Sequence, residues 1–416
     1  MTSQEGGVFD ELVGQPQARR VLADAARGLG MTHAWLFTGP PGSGRSTAAV
    51  AFAAALQCEA GGCGECHDCR TVLGGSVTAA SRRSDSGDLP THPDVTRVIP
   101  EGLSLGVDQV RSLILEAGRA PTAGRWQVLI IEDADRLTEA AANALLKAIE
   151  EPPARTVFLL CAPSTNPAEI SVTIRSRCRV LVLRQPPPDA IADLLVGRDG
   201  LDRREAELYA AAAQGHVGRA RRLATDAEAR RRRHEVLQIP RRLTGLGACF
   251  TAAVELIEAA EAEAAGTYTE QSAAEKQALE TALGKGGTGK GASKAARGSA
   301  AAMKELEKRQ KTRDTRAQRD SLDRALVDLA AFYRDALAAS FGVLAAPGTH
   351  DGSSGGRRIP PIHPDMVETT RAAAGRLSAE SLLRRIDAIL ECRQAIEANV
   401  RPRIAVEAMM TRLWQA

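Results

Sequence analysis

Gly39-Pro40-Pro41-Gly42-Ser43-Gly44-Arg45-Ser46 follows a short apolar run at residues 34–37 and leads into a helical pattern over residues 46–57. The spacing is that of a phosphate-binding loop, whose glycines turn backbone N–H groups toward phosphate oxygens at a helix N-terminus. Lysine normally fills the position of Arg45, and a guanidinium is wider and planar. A Gly/Pro-rich turn without a ligand is the alternative interpretation. The stretch predicts an α/β nucleotide-binding domain, and Arg45 leaves its capacity for hydrolysis in question.

Further short apolar runs follow along the chain, at residues 95–99, 128–131, 157–161 and 180–183. The segments between them are long enough for crossover helices, and such alternation is typical of a parallel, doubly wound sheet. Residues 76–92 interrupt the pattern with Ser, Arg, Gly, Asp and Pro, which favours an exposed loop. We therefore expect a parallel-sheet domain over residues 1–185.

Beyond Pro186-Pro187-Pro188 the pattern is helical only. We expect a small helical domain over residues 186–228 and a third, all-helical domain over residues 229–416. Within the third domain, residues 259–319 are rich in Ala, Glu, Lys and Gly, which predicts a solvated helix, a linker or both. Residues 284–290 resemble a second phosphate loop, but no strand precedes them, so this interpretation is set aside.

Composition limits the classes of function. The 416 residues suffice for two or three domains, and 44% of them are hydrophobic. The aromatic content of 3% argues against stacking platforms for single-stranded nucleic acid. With 54 basic and 51 acidic residues, any contact with nucleic acid should be local or shared with partners. No run approaches the roughly 18 apolar residues of a membrane span, so we expect a cytoplasmic protein without a membrane partner.

An acidic pair, Glu132-Asp133, directly follows the run at residues 128–131. In nucleotide hydrolases one carboxylate at this place supports Mg²⁺ and a second polarises the attacking water. Such ATPases generally have Asp before Glu, and here the order is reversed, so Asp133 is one methylene short for the second role. A displacement of about 1 Å can cost on the order of a hundredfold in rate. Alternatively, both residues only cap the next helix or lie in solvent.

Cys58-x₄-Cys63-x₂-Cys66-x₂-Cys69 places thiols at short intervals after the phosphate-loop helix. Spacers of this length let successive sulfurs turn onto one Zn²⁺, and a set of four closes a structural tetrahedral site. His67 lies within the motif and could replace one cysteine. Free buried thiols or a redox pair are the alternatives. We predict a structural zinc module over residues 58–69.

Further motifs complete a recognisable set: Phe9-Asp10-Glu11-Leu12-Val13-Gly14-Gln15, the stretch from Leu137-Thr138-Glu139 to Glu151-Pro152-Pro153, and Ser176-Arg177-Cys178. Taken alone, an arginine such as Arg177 is most often a surface or salt-bridge residue. Together with the phosphate loop and the cysteines, these motifs resemble the bacterial clamp-loader subunits of DNA polymerase III, which are AAA+ proteins. Within that family the delta-prime type is the most similar.

The resemblance implies an AAA+ domain with a zinc module, a helical lid domain and a helical collar. It implies that Arg177 acts in trans, on ATP held by a neighbouring subunit. It places Val13 near adenine, Ser164 or Thr165 near the sensor-1 position and Arg219 at the sensor-2 position. Glu132 and Asp133 would take the catalytic positions. ATP or ADP with Mg²⁺ would lie on the loop residues Gly39, Gly42, Ser43, Gly44, Arg45, Ser46 and Thr47.

The resemblance also implies partners and a role. Members of the delta-prime type act as a stator in a hetero-pentamer with tau or gamma and delta, which places the sliding clamp on primed DNA. Arg45 and the reversed acidic pair depart from the motor pattern of tau and gamma, so the chain's own ATP hydrolysis stays open. The complex belongs to the polymerase III holoenzyme, a nucleotidyltransferase. The alternatives are an active motor subunit of the same assembly and a zinc-stabilised DNA-binding or regulatory module.

Overall fold

The computed structural model describes residues 7–74, 92–100, 102–283, 292–346 and 358–416. The expected loop at residues 76–92 lies almost wholly outside these ranges, and so does the glycine-rich stretch at residues 284–290. The chain divides into two compact units, Met1–Arg221 and Arg222–Ala416. The division into three domains stays a prediction.

The first unit contains a parallel sheet of five strands: β1 (Ala34–Thr38), β2 (Val95–Val98), β3 (Gln127–Ile131), β4 (Thr156–Ala162) and β5 (Arg179–Val182). The strand order is β2-β3-β4-β1-β5, and every neighbouring pair is parallel. Strands β1, β3 and β4 are buried along their whole length, which is why each reads as a continuous apolar run. The predicted α/β class is confirmed.

Helices cover both faces of the sheet. On one face lie α1 (Pro16–Ala26), α2 (Arg45–Gln57) and α3 (His67–Gly74); on the other lie α4 (Val107–Ala117), α5 (Glu139–Glu150) and α6 (Val172–Arg177). Strand residues alternate between the two cores: Trp35 and Phe37 face the first set of helices, whereas Leu36 faces the second. Three further helices end this part of the chain: α7 (Pro188–Asp199), α8 (Arg203–Ala212) and α9 (Val217–Thr225).

The second unit is helical. It comprises α10 (Ala227–Arg242), α11 (Leu246–Ala282), α12 (Ala292–Ser340), α13 (Val367–Ala374), α14 (Ala379–Glu397) and α15 (Pro402–Gln415). Its core gathers Leu326 and Phe332 of α12, Ile389 of α14, and Val406 and Met410 of α15. No helix among the described residues is both long enough and apolar enough to cross a membrane.

The compositionally biased segment at residues 259–319 belongs to the two longest helices of the unit. Helix α11 has 37 residues and α12 has 49, which correspond to about 56 Å and 74 Å of helix. Their outer parts, residues 265–282 and 292–319, are called the arm below. The arm is therefore formed by two packed helices and is not an irregular linker.

Polar side chains join the two helices of the arm. Arg313 Nη1 donates to Glu275 Oε1 at 2.8 Å, and Arg313 Nη2 donates to Ser272 Oγ at 2.9 Å. Gln310 Nε2 donates to the Ser272 carbonyl oxygen at 3.0 Å, and the Arg313 guanidinium lies 4.8 Å from the centre of the Tyr268 ring. Hydrogen bonding by Arg313 lowers the pKa of Glu275 to about 2.

This pKa predicts how the arm responds to acid. The folded pKa of Glu275 lies below its ordinary value of 4.5, so the ionised carboxylate stabilises the arm above pH 4.5. That contribution is lost as the pH falls from about 4.5 toward about 2. We expect Glu275→Gln to lower the free energy of arm opening by about 1–2 kcal/mol at pH 7, since the 31% exposed side chain is partly screened.

Hydrogen exchange of the amide groups at residues 270–280 measures this opening. Glu270→Gln, at an exposed glutamate of the same helix, is the matched control and should have little effect. A difference between wild type and Glu275→Gln that persists unchanged at pH 2 would contradict the assignment.

Candidate functional site

The phosphate loop connects the end of β1 to the start of α2, as its sequence predicts. A Cβ at Gly39 would lie 2.4 Å from the Leu183 carbonyl oxygen, and a Cβ at Gly42 would lie 2.5 Å from the Cα of His216. Gly44, at the helix N-cap, has a φ of 87°, in the left-handed region. The glycines are therefore required by close backbone approach and by left-handed geometry.

Polar atoms of this loop are suited to an anion. Within the described residues, Ser43 Oγ and Arg45 Nη1 are buried and have no hydrogen-bond partner. Buried polar groups are nearly always satisfied, and a helix N-terminus attracts negative charge. A phosphate group would satisfy both atoms, and Ser46 and Thr47 lie half-buried in the same first turn of α2. These residues fit a nucleotide.

Glu132, directly after β3, is engaged from two sides. The Ser46 hydroxyl donates to Glu132 Oε2 at 2.8 Å. The Arg97 guanidinium forms an ion pair with Glu132 Oε1, and the two side chains are only 17% and 12% exposed. Arg97 reaches this position because it lies on β2, in register with Ile130 of β3. In phosphate-loop enzymes the hydroxyl and the carboxylate at these places hold Mg²⁺, whereas here they contact each other directly.

The next acidic residues occupy unusual environments. Asp133 has a φ of 48° and precedes a short 3-10 helix at Ala134–Arg136, with its Oδ2 3.9 Å from Arg136 Nε. Burial raises the pKa of Asp135, the charge of Asp133 adds to the rise, and Arg45 opposes it. Asp135 Oδ1 is buried and has no hydrogen-bond partner in the described part of the chain. Arg45 thus lies close enough to the acidic turn to affect its ionisation.

The chain before α1 is hydrogen-bonded to the phosphate loop. Gln15 is buried, and its Nε2 donates to the Ser43 carbonyl oxygen at 3.3 Å and also to the Arg184 carbonyl oxygen. The Arg184 amide donates back to Gln15 Oε1 at 3.3 Å. Val13 lies half-buried two residues earlier. The segment from Val13 to Gln15 therefore joins the phosphate loop to the chain that leaves β5.

The expected sensor residues lie on neighbouring elements. Ser164 follows β4, and its hydroxyl donates to Glu169 Oε2 at 2.8 Å. Arg219 lies half-buried in α9, and its backbone amide donates to His216 Nδ1 at 3.3 Å. His216, whose Cα approaches Gly42, brings the start of α9 to the loop. The structure thus gathers the loop, the acidic turn and the start of α9.

Arg177 belongs to a different surface. It ends α6, its Nη2 lies 2.7 Å from Glu150 Oε1 of α5, and its Nη1 donates to the Thr173 carbonyl oxygen at 3.0 Å. Helices α5 and α6 pack on the opposite face of the sheet from α2. The side chains of Arg177 and Glu150 are 39% and 40% exposed. Arg177 is accessible to another molecule.

The four cysteines form one cluster. Their sulfur atoms all lie within 4.8 Å of one another, with 3.6 Å from Cys58 to Cys63 and 3.8 Å from Cys58 to Cys66. A tetrahedron with metal–sulfur bonds of about 2.3 Å has edges of about 3.8 Å. Burial opposes ionisation of Cys58, but the backbone N–H groups of Cys63 and Gly62 outweigh it and lower its pKa to about 6. The cluster, which also includes Cys69 but not His67, could hold a metal ion such as zinc.

The four arginines at residues 230–233 form hydrogen bonds or ion pairs within the second unit. Arg230 Nη1 donates to the Leu223 carbonyl oxygen at 2.7 Å, and Arg233 pairs with Asp365 at 2.7 Å. Arg231 and Arg232 both pair with Glu228. These contacts attach α10 to its neighbours, so the run is a packing element of the helical unit.

Sequence reasoning missed three contributors to the site: Gln15, Arg97 and His216. Gln15 was visible only as part of the motif before α1, and His216 only as a neighbour of Arg219. Arg97 could have been identified from the sequence, because a charged residue inside an apolar strand needs a partner of opposite charge. The acidic pair after the next strand offers such a partner. Each makes its contact across more than 25 residues of sequence, which local patterns do not reveal.

The buried ion pair yields a stability prediction. Arg97→Met leaves the Glu132 carboxylate without its positive partner, and we expect a loss of about 3 kcal/mol in the free energy of unfolding. Arg198→Met, which removes the partner of Glu11 in an exposed pair with 48% and 52% accessible side chains, should cost less than about 1 kcal/mol.

Urea denaturation of the two variants provides the comparison. Adding Glu132→Gln to Arg97→Met should recover part of the loss, because the unpaired charge is then gone. Equal, small effects of Arg97→Met and Arg198→Met would show that Glu132 does not depend on Arg97.

Known proteins match this first unit in sequence. Residues 14–187 match the family described as "DNA polymerase III, delta subunit". Subunit delta' of Bacillus subtilis (strain 168) is 34% identical over 185 residues, which cover 44% of this chain and 52% of the relative. Subunit tau of the same organism is 33% identical over 216 residues, covering 50% of this chain and 35% of the relative. The chain thus spans about half the length of these relatives, or less.

A solved structure, a DNA polymerase III gamma subunit-related protein of Thermotoga maritima, is 16% identical, with coverage of 95% and 98% and a TM-score of 0.41. Subunit delta' of Escherichia coli (strain K12) is 34% identical over 191 residues, covering 44% of this chain and 52% of the relative. The family match at residues 14–187 falls on the parallel-sheet part, which carries the phosphate loop, the acidic turn and the cysteine cluster. Residues 14–187 are therefore similar in sequence to the delta-prime, tau and gamma/tau subunits of DNA polymerase III, which supports a clamp-loader subunit.

Proposed function

We propose that the chain is a delta-prime-type subunit of the DNA polymerase III clamp loader. In this role it helps the ATP-dependent placement of a sliding clamp on primed DNA, in the cytoplasm. The observation that carries the stator role is the exposed pair of Arg177 with Glu150 at the end of α6, which leaves the guanidinium within reach of a neighbouring subunit. Ser46 and Glu132, which contact each other, would hold the Mg²⁺ that accompanies a bound nucleotide.

The phosphate loop would hold ATP or ADP with little turnover. Ser43, Arg45 and the N-terminal amides of α2 would bind the phosphates, and a bound nucleotide would supply the negative charge that these groups lack. Arg45 would contribute a planar fork in place of a compact ammonium. Asp133, with a left-handed backbone and Arg136 nearby, is short for activating water. Binding without efficient hydrolysis follows from these features.

Arg177 would act on a neighbouring subunit. Its ion pair with Glu150 joins two side chains that are each more than a third exposed, and such pairs contribute about 0–1 kcal/mol. Breaking the pair on assembly therefore costs little. The guanidinium could then stabilise the charge that develops on ATP bound to a tau or gamma subunit. The hydroxyl of Ser176, the preceding residue, donates to the Thr173 carbonyl oxygen within the same helix α6.

The partners would be tau or gamma, delta, the sliding clamp and primed DNA. The helical unit from α10 to α15 would form the collar that joins the subunits in a hetero-pentamer, since amphipathic helices need partner faces. An active motor of the same assembly is the second candidate. It is favoured by the match to the Bacillus subtilis tau subunit and by the retained loop glycines and Ser46.

Single-turnover ATP hydrolysis by the reconstituted loader, with clamp and primed DNA, tests the stator role. Arg177→Ala should reduce turnover at the neighbouring site by on the order of 10³, the low end for an arginine finger. Arg45→Ala should have little effect. Arg175→Ala, at an exposed arginine of the same helix, is the matched control.

Comparable losses with Arg177→Ala and Arg45→Ala would identify a working ATPase and contradict the stator role. Full turnover with both variants would contradict the clamp-loader mechanism itself.

We also assign structural zinc to Cys58, Cys63, Cys66 and Cys69, whose sulfur spacing suits a closed tetrahedral site. Cys66→Ser should abolish zinc retention and lower the thermal midpoint of the first unit, because metal-binding energy, of order 10 kcal/mol in isolated zinc peptides, stabilises the fold. Elemental analysis and calorimetry measure the two effects. His67→Ala should retain zinc, and loss of zinc in that variant would make His67 a ligand.

A further inference from the structure

The part of the chain that leads into and forms the α12 side of the arm concentrates positive charge that the composition of the whole chain conceals. Residues 276–311 contain seven of the eight lysines in the protein. Residues 284–319 carry eleven Lys and Arg against three Asp and Glu, a net charge of +8, so the rest of the +3 chain sums to −5. Residues 284–319 are therefore strongly basic, whereas the rest of the chain taken together is acidic, although it includes the arginine-rich stretch at residues 217–242.

Helix α12 presents part of this charge as a regular row. Lys304, Lys308 and Lys311 are all exposed. Their spacing of four and three residues places them on one face of the helix, about 6 Å and 4.5 Å apart along its axis. We call these three residues the lysine row. Glu307 borders the row, three residues after Lys304 and four before Lys311, and its Oε1 lies 3.9 Å from Nζ of Lys276 in α11.

The packing of the arm fixes the orientation of the lysine row. Gln310 and Arg313 of α12 are both 7% exposed and contact Ser272 and Glu275 of α11. The face of α12 that bears them is therefore turned toward α11. The lysine row lies on roughly the opposite side of α12 and is open to solvent, so the side chains can meet a partner without rearrangement of the helices.

The arm lacks the features of a protein interface. Among its described side chains, none of the exposed residues is a large hydrophobic one; the nearest in sequence are Phe250 and Phe341. Protein interfaces depend on buried aromatic and apolar anchors. A phosphate backbone needs only positive charges, whose contacts release counterions. The charge and the missing apolar anchors together indicate a polyanion.

We propose that the arm binds the phosphate backbone of duplex DNA through Lys304, Lys308 and Lys311. The choice of DNA among polyanions rests on the proposed function, which brings primed DNA to the complex. The basic run at residues 230–233 offers less free charge, because Arg230, Arg232 and Arg233 are held by internal contacts and Arg231 is the member that is largely exposed. Binding of this kind is independent of base sequence.

The test measures duplex DNA binding by the full chain alone at several salt concentrations. Neutralising the lysine row with Lys304→Gln, Lys308→Gln and Lys311→Gln should reduce the slope of log affinity against log salt by about 2.7, since each phosphate contact contributes about 0.9. The matched control is Arg371→Gln, Arg384→Gln and Arg403→Gln, at three exposed arginines elsewhere in the helical unit. The control should keep most of the slope.

An unchanged slope in the lysine variant, or an equal reduction in the control, would overturn the proposal. Displacement of the duplex by poly-glutamate at equal charge concentration would also overturn it and point to an acidic protein partner. Thermal unfolding should be the same in both variants and wild type, because all six side chains are exposed. The ATPase assay of the reconstituted loader with Arg177→Ala does not depend on DNA binding by the arm. The two experiments therefore distinguish failure of the DNA-binding proposal from failure of the proposed clamp-loader function.

Discussion

A carboxylate at the buried end of a parallel strand requires compensation, and in this chain the requirement shapes the surroundings of the phosphate loop. Glu132 follows β3, where burial disfavours an isolated charge. The compensation comes from Arg97 on the adjacent strand and from the hydroxyl of Ser46. The same contacts hold the first turn of α2 against the sheet edge. Stability of the domain and the chemistry of its loop thus depend on one group.

The parts of the fold that are local in sequence were predictable. Strands β1, β3 and β4 are buried on both faces, so their residues form continuous apolar runs. The cysteine cluster was predictable for a similar reason, because its four cysteines lie within twelve residues and the spacing itself determines the geometry. The roles of Arg97 and Gln15 were not, since strand order brings their partners together and a pattern along the chain does not report strand order.

Charge balance was a misleading guide to one region. A net charge of +3 suggested weak attraction for nucleic acid, yet the arm and the rest of the chain carry charges of opposite sign. Composition also suggested that residues 259–319 bury little apolar surface. The two helices pack instead through Gln310, Arg313 and Glu275, which are polar groups that hydropathy does not count as core.

The close approach of Gly42 to His216 couples the phosphate loop to the helices that follow the sheet. A Cβ at residue 42 would lie 2.5 Å from the His216 Cα, so the start of α9 lies against the loop. The helices α7 to α9 follow Pro187, and a Cβ at Gly14 would meet that ring at 3.0 Å. Any side chain at residue 42 would therefore displace the start of α9, and the placement of these helices depends on glycines that lie outside them.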